Sequence, residues 1–594
     1  MWWKAVRAGI LAAIAFIPAC EFVLPEGTPA QRITEPPQQF PFPQRARVVD
    51  IDSPGLLDVA DTEYRLVADV TADKTAFQLA ASHITLNLNG HIVTYGERND
   101  VAECHGVVHQ RDNATDIVVC GPGTIRQGAG GLATDPQRTG WNPISFPLGA
   151  TQVVIAGVEL LYRTPETYGI RAMWVSEITL RDNIIEDQGT VVLNRHSLIA
   201  AIDISRGTGG LVRGNDIRRT RQVGISSGND CEVAYNRIHV SSVVTNSYAI
   251  VCFAVDGFTV HHNTITGEGV HPIGIGAVAE AHHGDILDND IEVQSTAVGT
   301  EYGDTGAAGI RMTWGTDDVR VRRNHILLRA EKNLLGPGLD SWGRALWVGL
   351  PDSTAAVVFE DNVIIARNKN GDGAKAAGIA VVCWNRSPAL VFRHNTVISN
   401  WANVLLADSY GIADGYPRFI GNTFRKEDAD PTYRTIRSDN PSVPSTALFE
   451  HTTYENGAAF ESMEVEFDAA GSWYDGRAKK DIAQGWHFEL TVTHGATQPL
   501  AGAEVQITNN AGELVYRGTT GSAGTIATDL AEYDLTSRST YPLPDMVTLD
   551  VVPGGGNKIL RTPYRVTARF GAAQAAATVP LTADTRIVLQ LQAY

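Results

Sequence analysis

The chain of 594 residues predicts an all-β protein, a solenoid of stacked coils followed by a small antiparallel sandwich. Three observations carry this prediction. An alternating run that reaches Asn and then an aliphatic residue keeps returning: ITLRDNII at 178–185, GLVRGNDI at 210–217, CEVAYNRI at 231–238, FTVHHNTI at 258–265 and GDILDNDI at 284–291. It continues as VRVRRNHI at 319–326, VVFEDNVI at 357–364, LVFRHNTV at 390–397 and PRFIGNTF at 417–424. The anchors Asn183, Asn215, Asn236, Asn263, Asn289, Asn324, Asn362, Asn395 and Asn422 lie between 21 and 38 residues apart, the length of one solenoid coil. Each coil also carries a more apolar segment, such as AAIDIS at 200–205, YAIVCF at 248–253, IGIGAV at 273–278 and AGIRMT at 308–313. Finally, the pattern stops near residue 425 and a new composition begins at Trp486.

The helical period is missing from both segments. Val, Ile, Thr and Phe alternate with polar residues between Gly, Asn and Asp, which is the pattern of strands. A single unit of this kind cannot hide its apolar side, so coils must stack to bury a continuous core. Unequal intervals mean that loops of different length leave the coils, and function concentrates in such loops.

The entry segment YRLVADVTADKTAFQLAASHITLNLNGHIVTYG at 64–96, with its Asn89-Gly90-His91 step, opens this series. Together with the repeats it resembles the right-handed parallel β-helix (pectin-lyase-like) family over residues 47–425. The resemblance implies that the turn asparagines stack into ladders and serve structure. It assigns no activity, because this fold hosts many.

Residues 426–485, with Pro431, Pro441 and Pro444, read as a connecting segment, and 486–594 as a sandwich of short strands separated by turns. There AGAEVQI, AGELV and GTTGSAG resemble the carboxypeptidase-regulatory-like, immunoglobulin-type module. Where that family often has Thr-Asp before the last Gly, this chain has Thr520-Gly521-Ser522-Ala523-Gly524, so no acidic role carries over. A spacer, cap or adhesive unit is expected.

At the other end, residues 1–20 combine Lys4 and Arg7 with a short apolar stretch and Ile17-Pro18-Ala19-Cys20, a secretory signal. The last four residues resemble a bacterial lipobox in which Cys20 is lipidated; cleavage after Ala19 is the alternative. Residues 21–46 form a Pro-rich tether. The expected location is therefore the outer membrane or cell surface through a lipid anchor, otherwise the periplasm or medium. A net charge of −18 and a pI near 5.3 exclude nucleic acid as a partner. Cys104, Cys120, Cys231, Cys252 and Cys383 lack metal spacing; Cys104 and Cys120 could close a loop, and the inward Cys252 and Cys383 read as buried thiols.

Aligning the apolar segments on Ile170, Ile202, Ile225, Ile250, Ile275, Ile310, Leu346 and Ile379 makes the next residue in each point outward. Those residues are Arg171, Asp203, Ser226, Val251, Gly276, Arg311, Trp347 and Ala380. Past the strand ends come Arg206 and then Asp230, Asp256, Glu280, Asp317 and Asp352, the last five expected along one edge. Coils repeat at about 4.8 Å. Carboxylates on neighbouring coils would then match the ~5 Å spacing of retaining glycosidases, and those two coils apart the ~6.5–9.5 Å of inverting ones. Asp230, Asp256, Glu280 and Asp317 are therefore the candidate acid, base or nucleophile. Arg171, Asp203, Arg206, Arg311, Trp314 and Trp347 are the candidate substrate-binding residues, the tryptophans offering flat faces for sugar rings.

Ordinary turn chemistry accounts for any one of these aspartates taken alone. His261–His262 read as strand or ladder, His282–His283 as loop, and no His-Glu-x-x-His spacing exists. The expected function is an exported carbohydrate-active protein that cleaves glycosidic bonds of a polysaccharide, by hydrolysis because carboxylates dominate the row. The alternatives are a lyase in which Ca2+ masks a uronate and Arg311 acts as base, and a non-catalytic glycan-binding or adhesive surface protein.

Overall fold

The computed structural model describes residues 42–592 apart from 99–102, 132–139, 193–197, 245, 297–306, 314, 331–341, 350–356, 369–374, 382–389, 407–416, 428–430, 439–444, 466–479 and 537–556. It is a right-handed parallel β-helix followed by an antiparallel β-sandwich, and the described residues contain no helix. The expected signal segment, Cys20 and most of the expected tether lie outside the described residues, as does Cys383.

A coil makes three strands on three faces of a prism. Ser247–Phe253 lies on the first face, Thr259–His261 on the second and Thr264–Gly269 on the third. Pro272–Val278 then begins the next coil, parallel to Ser247–Phe253. The first face runs through 15 described strands, from Gly55–Leu57 to Met463–Glu464. The inward residues Ile170, Ile202, Ile225, Ile250, Ile275 and Ile310 stand in register and are fully buried. Each contributes about 1.5–3 kcal/mol by leaving water. Farther along, Phe359, Phe392, Phe419 and Phe449 stack with ring centroids 4.6–4.8 Å apart, the repeat of the coils themselves.

The corner between the second and third faces is held by the asparagines. From Asn183 to Asn422, each Nδ2 donates to the Oδ1 of the next at 2.9–3.0 Å. The residue before each anchor, from Asp182 through Tyr235, His262 and Arg323 to Gly421, takes a left-handed φ of 54–65°. Such a conformation costs a non-glycine residue about 1–2 kcal/mol, which the ladder's buried hydrogen bonds offset.

Parallel coils continue past residue 425. Arg434–Ser438, Ser445–Glu450, Thr453–Glu455 and Met463–Glu464 add to the first, second, third and again first faces. The expected connecting segment is thus largely solenoid. Its corner carries Thr452 where the earlier coils carry Asn: Thr423 pairs with Thr453, so the sequence marker disappears while the coil persists.

Strand Lys480–His494 belongs to both domains. Its first part pairs in parallel with Ser445–Glu450, and its second with Thr585–Leu591, while Thr525–Thr536 runs antiparallel along most of its length. Glu504–Thr508, Leu514–Thr519, Tyr564–Phe570 and Ala573–Val579 form the facing antiparallel sheet. Phe488, Leu490, Val505, Ile507 and Val566 fill the sandwich core. Tyr533 and Leu535, from the sandwich strand Thr525–Thr536, instead join the solenoid core and close its end. Cys104, Cys120, Cys231 and Cys252 are buried free thiols, so Cys104 and Cys120 do not close a loop.

Candidate functional site

Arg171, Asp203, Ser226, Val251, Gly276, Arg311, Trp347 and Ala380 occupy one register column of the first face. This column is not an open groove. Asp203 is 3% exposed, Arg311 5% and Val251 0%. Tyr248, Val223, Ile273 and Val278 pack with Val251 in a second small apolar cluster, bordered by Tyr168 and Leu198. Tyr248 crosses Gly276 so closely that a Cβ there would lie 2.4 Å from its ring.

Strand alternation settles which side chains leave the core, but whether they reach water depends on what other segments lie over them. Asp203 and Arg311 are therefore corrected as substrate-contacting residues. Arg311 donates to Asn246 Oδ1 at 2.6 Å and is shielded from any polymer on the surface, which removes it as the base of an elimination. Asp203 accepts the Ser205 N–H at 3.1 Å; burial pushes its carboxyl up, against the pull of that bond and of Arg171 and Arg206. Arg171 is half-buried, 5.6 Å from the Tyr168 ring. Trp314, Asp352 and the side chain of Trp347 lie outside the described residues.

The corner between the first and second faces is different. Trp174 is 50% exposed there, and the Arg206 guanidinium of the next coil stacks 4.7 Å from its ring. Glu177, Gly209, Asp230, Gly257, His283 and Asp318 follow one another up this corner, each at a left-handed φ of 48–69°. Beside them, Asp256 bridges His282, which pairs in register with Asp317. Trp174 to Asp318 spans five coil steps, about 24 Å.

Two hydrogen-bonded acid–imidazole pairs sit at the upper end. His282 Nδ1 bonds Asp317 Oδ1, and His283 Nδ1 lies 2.5 Å from Asp256 Oδ1. His283 Nε2 is 3.7 Å from Asp318 Oδ2. The Asp256 carboxylate holds the His283 imidazole above its ordinary range. Asp256 and His283 are open to solvent, whereas Asp317 is 24% exposed.

Of the four predicted acids, only Asp256 and Asp317 share a column. Asp230 sits at φ 48°, accepts Thr208 Oγ1 at 3.2 Å and leans over Gly257. Glu280 sits at φ 66° above Gly315. Both occupy left-handed turn positions off that column, so the expected single row of four carboxylates resolves into one pair with an imidazole between. The histidines were missed. Counting four residues back from the inward Val260, Ile286 and Val321 of the second face lands on Asp256, His282 and Asp317, a signal that counting from the first face blurs.

Among the described residues, the grouping whose ligand atoms lie close enough to share a metal ion is His451, His487 and Asp529, at the sandwich junction and on another corner of the prism. No protein-family model matches this chain, and no curated protein does. Among solved structures, the Bacillus anthracis TIE protein aligns with 23% of the chain at 14% identity and a TM-score of 0.12, and the chain spans only 20% of its length. The tailspike protein of E. coli bacteriophage HK620 in complex with pentasaccharide is similar at 10% identity and a TM-score of 0.37, over 80% of this chain and 85% of its own. Polygalacturonase from Erwinia carotovora ssp. carotovora is similar at 11% identity and a TM-score of 0.26, over 73% of this chain and 99% of its own.

Proposed function

We propose that this is an exported carbohydrate-active protein, anchored through lipid at Cys20, that binds a polysaccharide along the corner between the first and second faces and hydrolyses its glycosidic bonds. The observation that supports this reading is the strip itself: an exposed Trp174–Arg206 stack in line, coil by coil, with the Asp256–His283 and His282–Asp317 pairs. An aromatic face seats a sugar ring, and a row of this length suits a polymer rather than a monosaccharide.

Asp256 and Asp317 stand two coil steps apart, about 9.6 Å at the backbone. That backbone spacing is close to the ~6.5–9.5 Å between the carboxyl groups of inverting enzymes, which leaves room for a water between base and sugar. Asp256, an exposed acceptor hydrogen-bonded to His283, suits the base that activates this water. Asp317, more shielded and hydrogen-bonded to His282, suits the acid that protonates the leaving oxygen. The sandwich is read as an immunoglobulin-type cap and spacer.

Neutral and acidic polysaccharides incubated with the protein, with and without added calcium, test this. New reducing ends without unsaturated-sugar absorbance are expected. Asp256→Asn and Asp317→Asn should each lower turnover by roughly 10²–10⁴-fold, while Asp230→Asn and Glu280→Gln stay within a few-fold of wild type. Unsaturated products would establish a lyase instead, and retention of a glycan without cleavage would establish a binding protein.

A further inference from the structure

The strand that leaves the solenoid gathers a second set of chemically able side chains. His451 holds the last left-handed corner position, at φ 52°, just before Thr452. His487 and Asp529 face each other across the antiparallel pair that begins the sandwich. Asp529 Oδ1 lies 3.1 Å from His451 Nε2 and 3.1 Å from His487 Nδ1. Two ligands held at about 2.0–2.1 Å on a tetrahedral zinc ion are themselves about 3.3 Å apart. The observed separations are close to those a shared ion would impose.

The surroundings orient these atoms. Asp584 Oδ1 lies 2.6 Å from His451 Nδ1 and also accepts the His487 backbone N–H at 3.1 Å. A carboxylate on the far nitrogen is the usual support of a metal-binding imidazole, because it fixes the ring and turns Nε2 toward the metal. Arg418 Nη2 donates to Asp529 Oδ2 at 3.1 Å and to Glu450 Oε2 at 2.6 Å, which leaves Asp529 Oδ1 facing the two imidazoles. His451 and Asp529 are mostly shielded while His487 is 37% exposed, so one side of the triangle meets solvent.

We propose that His451, His487 and Asp529 bind one divalent transition-metal ion of the zinc type, with a fourth position left to solvent, and that this ion fastens the last coil to the sandwich. Two imidazole nitrogens with one carboxylate suit zinc; calcium and magnesium prefer oxygen alone. In the absence of an ion the same groups are joined only by shared protons, and experiment separates the two states.

The full chain, without an affinity tag, is stripped with chelator and titrated with zinc chloride by calorimetry and with cobalt chloride by visible absorption. One ion per chain is expected, with the ligand-field bands of tetrahedral cobalt and a rise in Tm on adding zinc. His487→Gln and Asp529→Asn should lose stoichiometric binding. Asp584→Asn, which removes only the orienting carboxylate, should keep one site and bind ~10–100-fold more weakly; it carries the test if the other variants fail to fold. The proposal is overturned if wild type takes up no zinc, if it takes up calcium but not zinc, or if the variants bind zinc as wild type does.

Discussion

His109 lies inside the prism, fully buried and stacked on Phe146 at 5.6 Å, and among the described residues neither ring nitrogen has a hydrogen-bond partner. Burial holds its pKa down to about 4. The unfolded chain therefore binds a proton near pH 6.5 that the folded chain refuses until about pH 4. Stability contributed by the neutral ring is complete above the upper value and is lost as pH falls through this window, by roughly 3 kcal/mol in all. His109→Leu should stabilise the protein by about 1–3 kcal/mol at pH 8 and by more at pH 5, measured as the shift in urea midpoint at the two pH values. A gain that does not depend on pH would show that the ring is not excluded from water. Nothing in the sequence marks this residue, since a strand of VVH reads equally well with its histidine facing either way.

At the scale of the element, the ladder corner is where sequence and structure agree most closely. Every Asn from Asn183 to Asn422 could be placed beforehand because one residue type, one spacing from an aliphatic and one buried bond pattern recur together. Asn289→Ala would strand the Asn263 backbone N–H, which donates to Asn289 Oδ1 at 3.0 Å, and take one acceptor from Asn263 Nδ2, which keeps Val233 O and His261 O. Each buried donor left without a partner costs about 1–3 kcal/mol. A loss of roughly 2–5 kcal/mol is expected for Asn289→Ala in chemical denaturation; a loss below 1 kcal/mol would mean that water enters the corner and replaces the amide. The same regularity explains the misplaced boundary. Thr452 fills the corner without an amide, so a reading tied to Asn ends one coil before the stacking does.

The whole molecule shows why the candidate site was only half legible. Alternation found the column from Arg171 to Ala380 and the acids beside it, because both depend on contacts one coil apart. The shielding of this column depends on contacts from other coils, such as Asn246 on Arg311 and the Tyr248 ring across Gly276. His451, His487 and Asp529 come from two domains, and no local spacing could have joined them. Closure of the core depends on the same junction. Tyr533 and Leu535 reach from the sandwich into the end of the solenoid, as a terminal cap must. Leu535→Lys should therefore expose the last coils, seen as dye binding and as tryptic cleavage near residues 434–464, while the sandwich core around Phe488 and Val566 survives. Resistance of those coils to trypsin would show that they close without the cap.

Strand Lys480–His494 runs from one domain into the other, and Thr525–Thr536 accompanies it through the crossing with one register shift at Gln484–Gly485. A joint built this way is a paired strand in place of a linker. Tension applied to the outer domain arrives as shear along many backbone bonds at once, rather than peeling them one by one. Under such a load the last coil and the sandwich would move together, because the same strand belongs to both sheets.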